Sequence, residues 1–408
     1  MKVIDGGVTA PKGYKAAGTR AGIKAGKTNK DMAMIYSQVP AAVAGTFTKN
    51  VVKAAPVLWD KKVVYEEKIA QAVVVNSGIA NACTGDEGYQ NAVDTAKYTA
   101  DALGINDSHV LVASTGVIGF TLPMDVIKSG IDTLKDIIAD DRESAIDAAT
   151  AILTTDTHKK EIAVTIDIDG TEITIGAMCK GSGMIHPNMG TMLGFITTDA
   201  DIEQSLLQKA LSECIEDTFN MVSVDGDTST NDTVLIMANG MAGNKKITSE
   251  DEAYLCFKEA LLEVNTYLAK QIAGDGEGAT RLFTVEVYNA KDKETAKKLA
   301  KSVCTSNLTK CAIYGQDANW GRILCAMGYS GAEFDPYRVD ITMVSEKGEI
   351  QLVSNGKAAD FDEEKATEIL SPEAVTARVD VKSGTASATA WGCDLTYDYV
   401  KINADYRS

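Results

Sequence analysis

Short apolar runs alternate along the chain with stretches of helical periodicity. Ala72-Val73-Val74-Val75 is an unbroken apolar run of strand length that closes on Asn76-Ser77-Gly78, and Val110-Leu111-Val112-Ala113 closes in the same manner on Ser114-Thr115-Gly116. Each run predicts a buried strand with polar residues at its end. Apolar positions recurring every three to four residues predict helices over 143–153, 201–219, 251–273 and 293–303, with Asp or Glu near several of the starts. Residues 161–168 and 172–178, separated by Asp169-Gly170-Thr171, predict a β-hairpin that runs directly into Lys180. Further strands are predicted at Met192-Leu193-Gly194-Phe195-Ile196 and Leu282-Phe283-Thr284-Val285. Strands, helices and hairpins mixed in this way favour a layered α/β or α+β architecture over a helical bundle.

At 408 residues the chain is too long for one ordinary core, so two or more domains or layers are expected. Hydrophobic residues make up 45% and charged residues 24%, the balance of a soluble globular protein. A formal charge of −17 argues against a nucleic-acid partner, because phosphate-binding surfaces need clustered Lys and Arg. The eight cysteines form no C-x-x-C pair, and the three histidines, His109, His158 and His186, are far apart, so neither a disulfide framework nor a metal site is suggested. No run approaches ~18 apolar residues and the N-terminus has no apolar signal core, so a cytoplasmic protein with no membrane partner is expected. Neither G-x-x-x-x-G-K-[ST] nor G-x-G-x-x-G follows a strand, and no cofactor is indicated.

The candidate chemistry centres on Lys180-Gly181-Ser182-Gly183-Met184-Ile185-His186-Pro187-Asn188-Met189-Gly190-Thr191. A threonine hydroxyl is a weak nucleophile unless a base lies within reach, and an N-terminal threonine carries its own base in the α-amine. That amine titrates near neutrality, with an ordinary pKa of roughly 7.7 to 8.0. Such chemistry requires the Gly190–Thr191 bond to be cut first. Gly190 suits the cut, because glycine tolerates strained φ/ψ values and leaves its carbonyl uncrowded. By pattern alone the same stretch also reads as a Gly-rich turn leading into a strand.

A set of blocks decides between the two readings. The Lys180–Leu193 stretch, Asn76–Gly85, Ser114–Gly119, Thr154–Thr157, Ser223–Thr233, Asn319–Leu324 and the C-terminal run from Ala390 to Ser408 resemble, in family order along the chain, the ornithine acetyltransferases of arginine biosynthesis, also called glutamate N-acetyltransferases. Two positions depart from the family pattern, Ile79 where asparagine is expected and Ala318 where proline is expected. Neither carries an assigned chemical group.

The resemblance implies sheet layers between helix layers and a chain self-cleaved into two interwoven pieces, 1–190 and 191–408, associated as a heterotetramer of two of each. It implies Thr191 as nucleophile, with Thr115 and Gly116 stabilising the oxyanion. It places substrate-binding roles on Thr154, Lys180, Thr191, Glu277, Asn403 and the terminal Ser408, leaving open which of Thr154, Thr155 and Thr157 makes the contact. The reaction implied is acetyl transfer from N2-acetyl-L-ornithine to L-glutamate by a ping-pong route. Some members also use acetyl-CoA as a substrate, a capacity these residues leave open. The alternatives are a self-processing aminopeptidase or amidohydrolase of related fold and a non-enzymatic acidic binding protein. Without the resemblance, Ser114-Thr115-Gly116 reads as a turn, Lys180 as an exposed strand-end lysine and Asp275-Gly276-Glu277-Gly278 as helix C-terminal punctuation.

Overall fold

The computed structural model of the chain describes residues 1–24, 26–186 and 192–405. Gly190, Thr191 and Ser408 therefore lie outside the described residues.

The two apolar runs form the strands Ile69–Ile79 and Val110–Val117, which lie parallel and in register through their polar ends, Ser77 beside Thr115 and Gly78 beside Gly116. The strands thus continue through the residues expected to end them. Parallel neighbours need a crossover, and the helix Gly85–Leu103 supplies it, with Asp86 and Glu87 in its first turn and Gly104 closing it at φ 68°. The predicted hairpin is Lys160–Ile168 paired antiparallel with Thr171–Lys180. Only Asp169 (φ 54°) and Gly170 (φ 80°) remain in its turn, the left-handed pair that matches strand twist in a two-residue connection.

These strands belong to a nine-stranded sheet whose order runs Lys2–Ile4, Lys160–Ile168, Thr171–Lys180, Leu193–Thr198, Thr233–Ala238, Met32–Phe47, Ile69–Ile79 and Val110–Val117, with Tyr14–Thr19 also pairing with Met32–Phe47. Leu193–Thr198 and Thr233–Ala238 follow position 190 in sequence, yet they sit between strands that precede it. The two parts of the chain are interwoven in one sheet. A seven-stranded sheet built from residues after 190 forms the second layer.

Alternate residues of the central strands face different cores. Val234 and Ile236 join the core that reaches the second sheet, while Leu235 and Met237 pack with Ala145, Ala148 and Ala149 of the helix Arg142–Ala151. Val74 and Val112 face a third core with Ile127 and Ile131 of the helix Met124–Ile137. The long helix Glu252–Gly274 lies between the sheets, touching Lys160–Ile168 and Thr171–Lys180 on one and Leu282–Ala290 and Ala386–Cys393 on the other. Helices therefore lie between the sheets as well as outside them. Among the described residues no helix is long and apolar enough to cross a membrane.

Candidate active site

The in-register pair Ile69–Ile79 and Val110–Val117 is tied at its polar end by side chains. Asn231 Nδ2 donates to the Ala80 carbonyl at 2.6 Å and to the Ser114 carbonyl at 2.8 Å, and Ser114 Oγ donates to Asn76 Oδ1 at 2.6 Å. Gly116 sits at φ 131°, and a Cβ there would stand 2.2 Å from the carbonyl carbon of Gly78 on the neighbouring strand. Only glycine lets the two ends meet. Thr115 is thereby held at the sheet edge, with its Oγ1 3.4 Å from Lys180 Nζ.

Lys180 ends its strand opposite Leu193, and its side chain is buried rather than exposed. Burial lowers its pKa; Asp156 opposes that and Lys160 adds to it. Behind it lies a charged triad. Lys160 Nζ, with no exposed side-chain surface, bridges Asp156 Oδ1 at 2.7 Å and Asp275 Oδ2 at 2.5 Å. Burial alone would raise the Asp156 carboxyl, but Lys180, Lys160 and the amide of Gly181 (2.7 Å) bring it down to about 2. Burial works against the charge on Lys160 too, and the two carboxylates outweigh it and raise its pKa. Asp156 also accepts from the Thr154 amide at 3.2 Å, so one carboxylate fixes both the Thr154 turn and the start of the Gly181–Gly183 loop.

The helix Glu252–Gly274 ends at this triad and delivers Asp275 and Glu277. The Glu277 amide donates to the Ser182 carbonyl at 3.1 Å, and Ser182 Oγ donates to the Asp275 carbonyl at 2.7 Å, so the two loops are stitched together. A Cβ on Gly183 would stand 2.3 Å from the Glu277 carboxyl carbon, which makes glycine necessary for the carboxylate to lie where it does. Asn403 Nδ2, from the helix Tyr397–Asp405, donates to Glu277 Oε2 at 2.7 Å. The hydrophobic pattern does not predict that helix.

Thr115, Gly116, Thr154, Lys180, Glu277 and Asn403 all line one cavity of about 170 Å³, and Thr155, Met192, Asn231 and Asp232 line it with them. Thr157 is not among the lining residues; its amide and hydroxyl donate to Asp275 instead. Glu277 and Asn403 offer an anionic and an amide group, Lys180 a cationic one, the complement of an α-amino-acid backbone. The cavity is large enough for a ligand of amino-acid size.

The segment leading toward position 190 is docked on the Ser223–Thr233 block. Asp225 accepts from the Met184 amide at 2.6 Å and the Ile185 amide at 2.8 Å, and Thr228 Oγ1 donates to the His186 carbonyl at 2.8 Å. His186 Nδ1 lies 3.0 Å from Ser223 Oγ, and burial, assisted by Lys301, lowers its pKa to about 4. A histidine with that pKa is neutral at physiological pH. Asp156, Lys160, Asp225 and Asp232 are site residues that the sequence alone does not single out. Asp156, Asp225 and Asp232 fall inside the family-like blocks, but nothing local marks Lys160 as the partner of a carboxylate 115 residues away.

Comparison with known proteins points the same way. A profile of the ArgJ family matches residues 15–408. The chain is similar to the arginine biosynthesis bifunctional protein ArgJ of Symbiobacterium thermophilum, 51% identical over 409 residues and covering 100% of both chains. It is also similar to the arginine biosynthesis bifunctional protein ArgJ 1 of Clostridium acetobutylicum, 53% identical over 396 residues and covering 97% of this chain and 96% of that one. Among solved structures, the arginine biosynthesis bifunctional protein argJ of Bacillus halodurans matches with a TM-score of 0.51 and 48% identity, covering 53% of this chain and 100% of that one.

Proposed function

The chain belongs to the ArgJ family, and from that premise we propose that it is a self-processing acetyltransferase of arginine biosynthesis that passes an acetyl group from N2-acetyl-L-ornithine to L-glutamate through Thr191. The observation that carries this reading is the convergence of Thr115, Gly116, Thr154, Lys180, Glu277 and Asn403, drawn from five separate stretches of sequence, on one cavity of amino-acid size.

In the first half-reaction Thr191 Oγ attacks the acetyl carbonyl and its own α-amine takes the proton. The Thr115 hydroxyl and the Gly116 amide receive the oxyanion, a form of stabilisation that is usually the largest single contribution in such chemistry. Ornithine leaves and an acetyl ester remains. In the second half-reaction the amine of glutamate attacks that ester and releases N-acetyl-L-glutamate. A single cavity serves both steps because both amino acids present the same backbone to Glu277, Asn403 and Lys180. Thr154 borders the same space, and Ser408 is assigned to it on the family resemblance alone.

Cleavage between Gly190 and Thr191 precedes this chemistry. It is supported by the match that takes in the whole Bacillus halodurans chain and 53% of this one, the share of 408 residues that 191–408 makes up. The two pieces stay together because their strands share one sheet, and we place two of each in a heterotetramer. No cofactor is needed; acetyl-CoA, if accepted, enters as a second acetyl donor.

The test is a turnover assay on purified protein with N2-acetyl-L-ornithine and L-glutamate, with and without acetyl-CoA. Stoichiometric N-acetylglutamate and ornithine are expected. Acetate released in excess of N-acetylglutamate would identify a hydrolase instead.

A further inference from the structure

Asn231 reaches the two strand ends beside Thr115 and Gly116 from a part of the chain that lies beyond position 190. It is 7% exposed and lines the cavity with those two residues. Each of its polar atoms has a partner. Nδ2 donates to the carbonyls of Ala80 and Ser114, and Oδ1 accepts from Thr230 Oγ1 at 2.6 Å. The backbone amide donates to Ser229 Oγ at 3.2 Å, and the backbone carbonyl accepts from Thr233 Oγ1 at 2.9 Å. Turned the other way, the side-chain amide would set its oxygen against two carbonyl oxygens, so its orientation is fixed.

The strands need such a tie at this point. Their parallel ladder is regular through Gly78 opposite Gly116 and then slips, with Ile79 paired to both Thr115 and Val117. Backbone pairing therefore loosens where Thr115 and Gly116 must be held. Gly116, at φ 131°, adds a residue of wide conformational freedom at the same place. The Ser114 carbonyl belongs to the peptide group that Thr115 completes, and the Ala80 carbonyl stands just past the slip. One side chain thus spans the irregular stretch from both strands.

We propose that Asn231 is a positioning residue of acetyl transfer, setting the Thr115 hydroxyl and the Gly116 amide where the oxyanion forms. This inference rests on the assignment of those two groups to the oxyanion and deepens it. Both N–H groups of the Asn231 side chain are spent on carbonyls, so it has no donor left for the oxyanion itself. Its effect falls on the transition state, which alone carries that charge, and spares ground-state binding through Glu277, Asn403 and Lys180. Misplacing such groups by about 1 Å costs on the order of 10² in rate. Thr115 and Gly116 precede position 190 and Asn231 follows it, so donors carried by one part of the chain are aimed by the other.

The experiment compares purified wild type, Asn231→Ala, Thr230→Val, Thr115→Ala and the Asn231→Ala/Thr115→Ala double variant. Steady-state kinetics are measured together with infrared spectra of enzyme exposed to N2-acetyl-L-ornithine carrying an isotope-labelled acetyl carbonyl. Asn231→Ala should lower kcat on the order of 10² and change KM little. Thr230→Val keeps the side-chain shape while freeing the Asn231 amide to turn, and it should lower kcat by less. Adding Asn231→Ala to Thr115→Ala should cost less than Asn231→Ala costs alone, because residues that act as a unit are not additive. The labelled ester carbonyl should absorb at higher frequency in Asn231→Ala than in wild type, since it is less polarised, a change that general loss of stability would not produce. Unchanged kcat in both single variants, a loss confined to KM, or additive losses with an unmoved carbonyl band would overturn the role of Asn231 while acetyl transfer stands. Should Asn231→Ala fail to fold, Thr230→Val decides alone: a lower kcat with a shifted band supports the role, and wild-type values overturn it. A wild type that turns over without any labelled ester would instead overturn the Thr191 reading on which the inference rests.

Discussion

Lys180 Nζ stands 3.4 Å from Thr115 Oγ1, joining the end of Thr171–Lys180 to the end of Val110–Val117, although the order of the sheet sets Leu193–Thr198, Thr233–Ala238, Met32–Phe47 and Ile69–Ile79 between them. A buried cation beside a hydroxyl aligns and polarises that hydroxyl. The pairing places the proposed oxyanion donor and the proposed substrate-binding lysine on one wall of the cavity.

Thr115→Ala is expected to lower kcat by on the order of 10² to 10³, the cost of one oxyanion donor, and to change KM far less. Steady-state kinetics on both substrates checks this. A loss confined to KM would move Thr115 from the transition state to ground-state binding.

The buried triad gives a prediction about stability and its pH dependence. Lys160→Met leaves Asp156 and Asp275 buried without their shared cation, and about 3 to 5 kcal/mol of folding stability should be lost, the usual cost of breaking such a pair. Because the Asp156 pKa is depressed to about 2, its contribution is complete above the unfolded value of roughly 3.9 and is lost as pH falls toward 2. Urea unfolding at pH 7 should show the lower stability of Lys160→Met, and through that acid window the wild type should lose stability while Lys160→Met loses less.

Gly183→Ala puts a methyl group against the Glu277 carboxylate. The carboxylate must move off Asn403, and KM for N2-acetyl-L-ornithine and for glutamate should rise together on the order of tenfold, the scale of one lost charge-assisted hydrogen bond. Asn403→Ala should give a rise of the same sign with Glu277 left in place. Parallel measurements of both KM values decide it: a rise for one substrate only would mean that the two do not share this contact.

What the sequence revealed and what it hid divide along a physical line. Strand and helix interiors were legible because burial imposes periodicity, as in the apolar run Ala72–Val75 and in the helix Glu252–Gly274. The turn was legible, as Asp169-Gly170-Thr171, because few residues adopt left-handed angles, although Thr171 already belongs to the second strand. Site residues came instead from the family resemblance, since Thr115, Lys180 and Glu277 look locally like a turn, a surface lysine and a helix end. Burial of Lys160 was not legible at all: a lysine beginning a strand looks solvated unless the carboxylates that meet it, Asp156 and Asp275, are known to converge there. The helix Tyr397–Asp405 escaped because it buries none of its residues and so has no apolar stripe to detect.

Passage of the acetyl group through Thr191 is the central claim, and the mass of the fragment beginning at that residue tests it most directly. Purified protein should run as two pieces, with the larger beginning Thr-Met-Leu-Gly. A brief exposure to N2-acetyl-L-ornithine alone should add one acetyl mass to that piece, and glutamate should remove it as N-acetylglutamate appears. Full turnover by an enzyme whose 191–408 fragment never carries the acetyl group would contradict the account and leave direct transfer between two bound substrates.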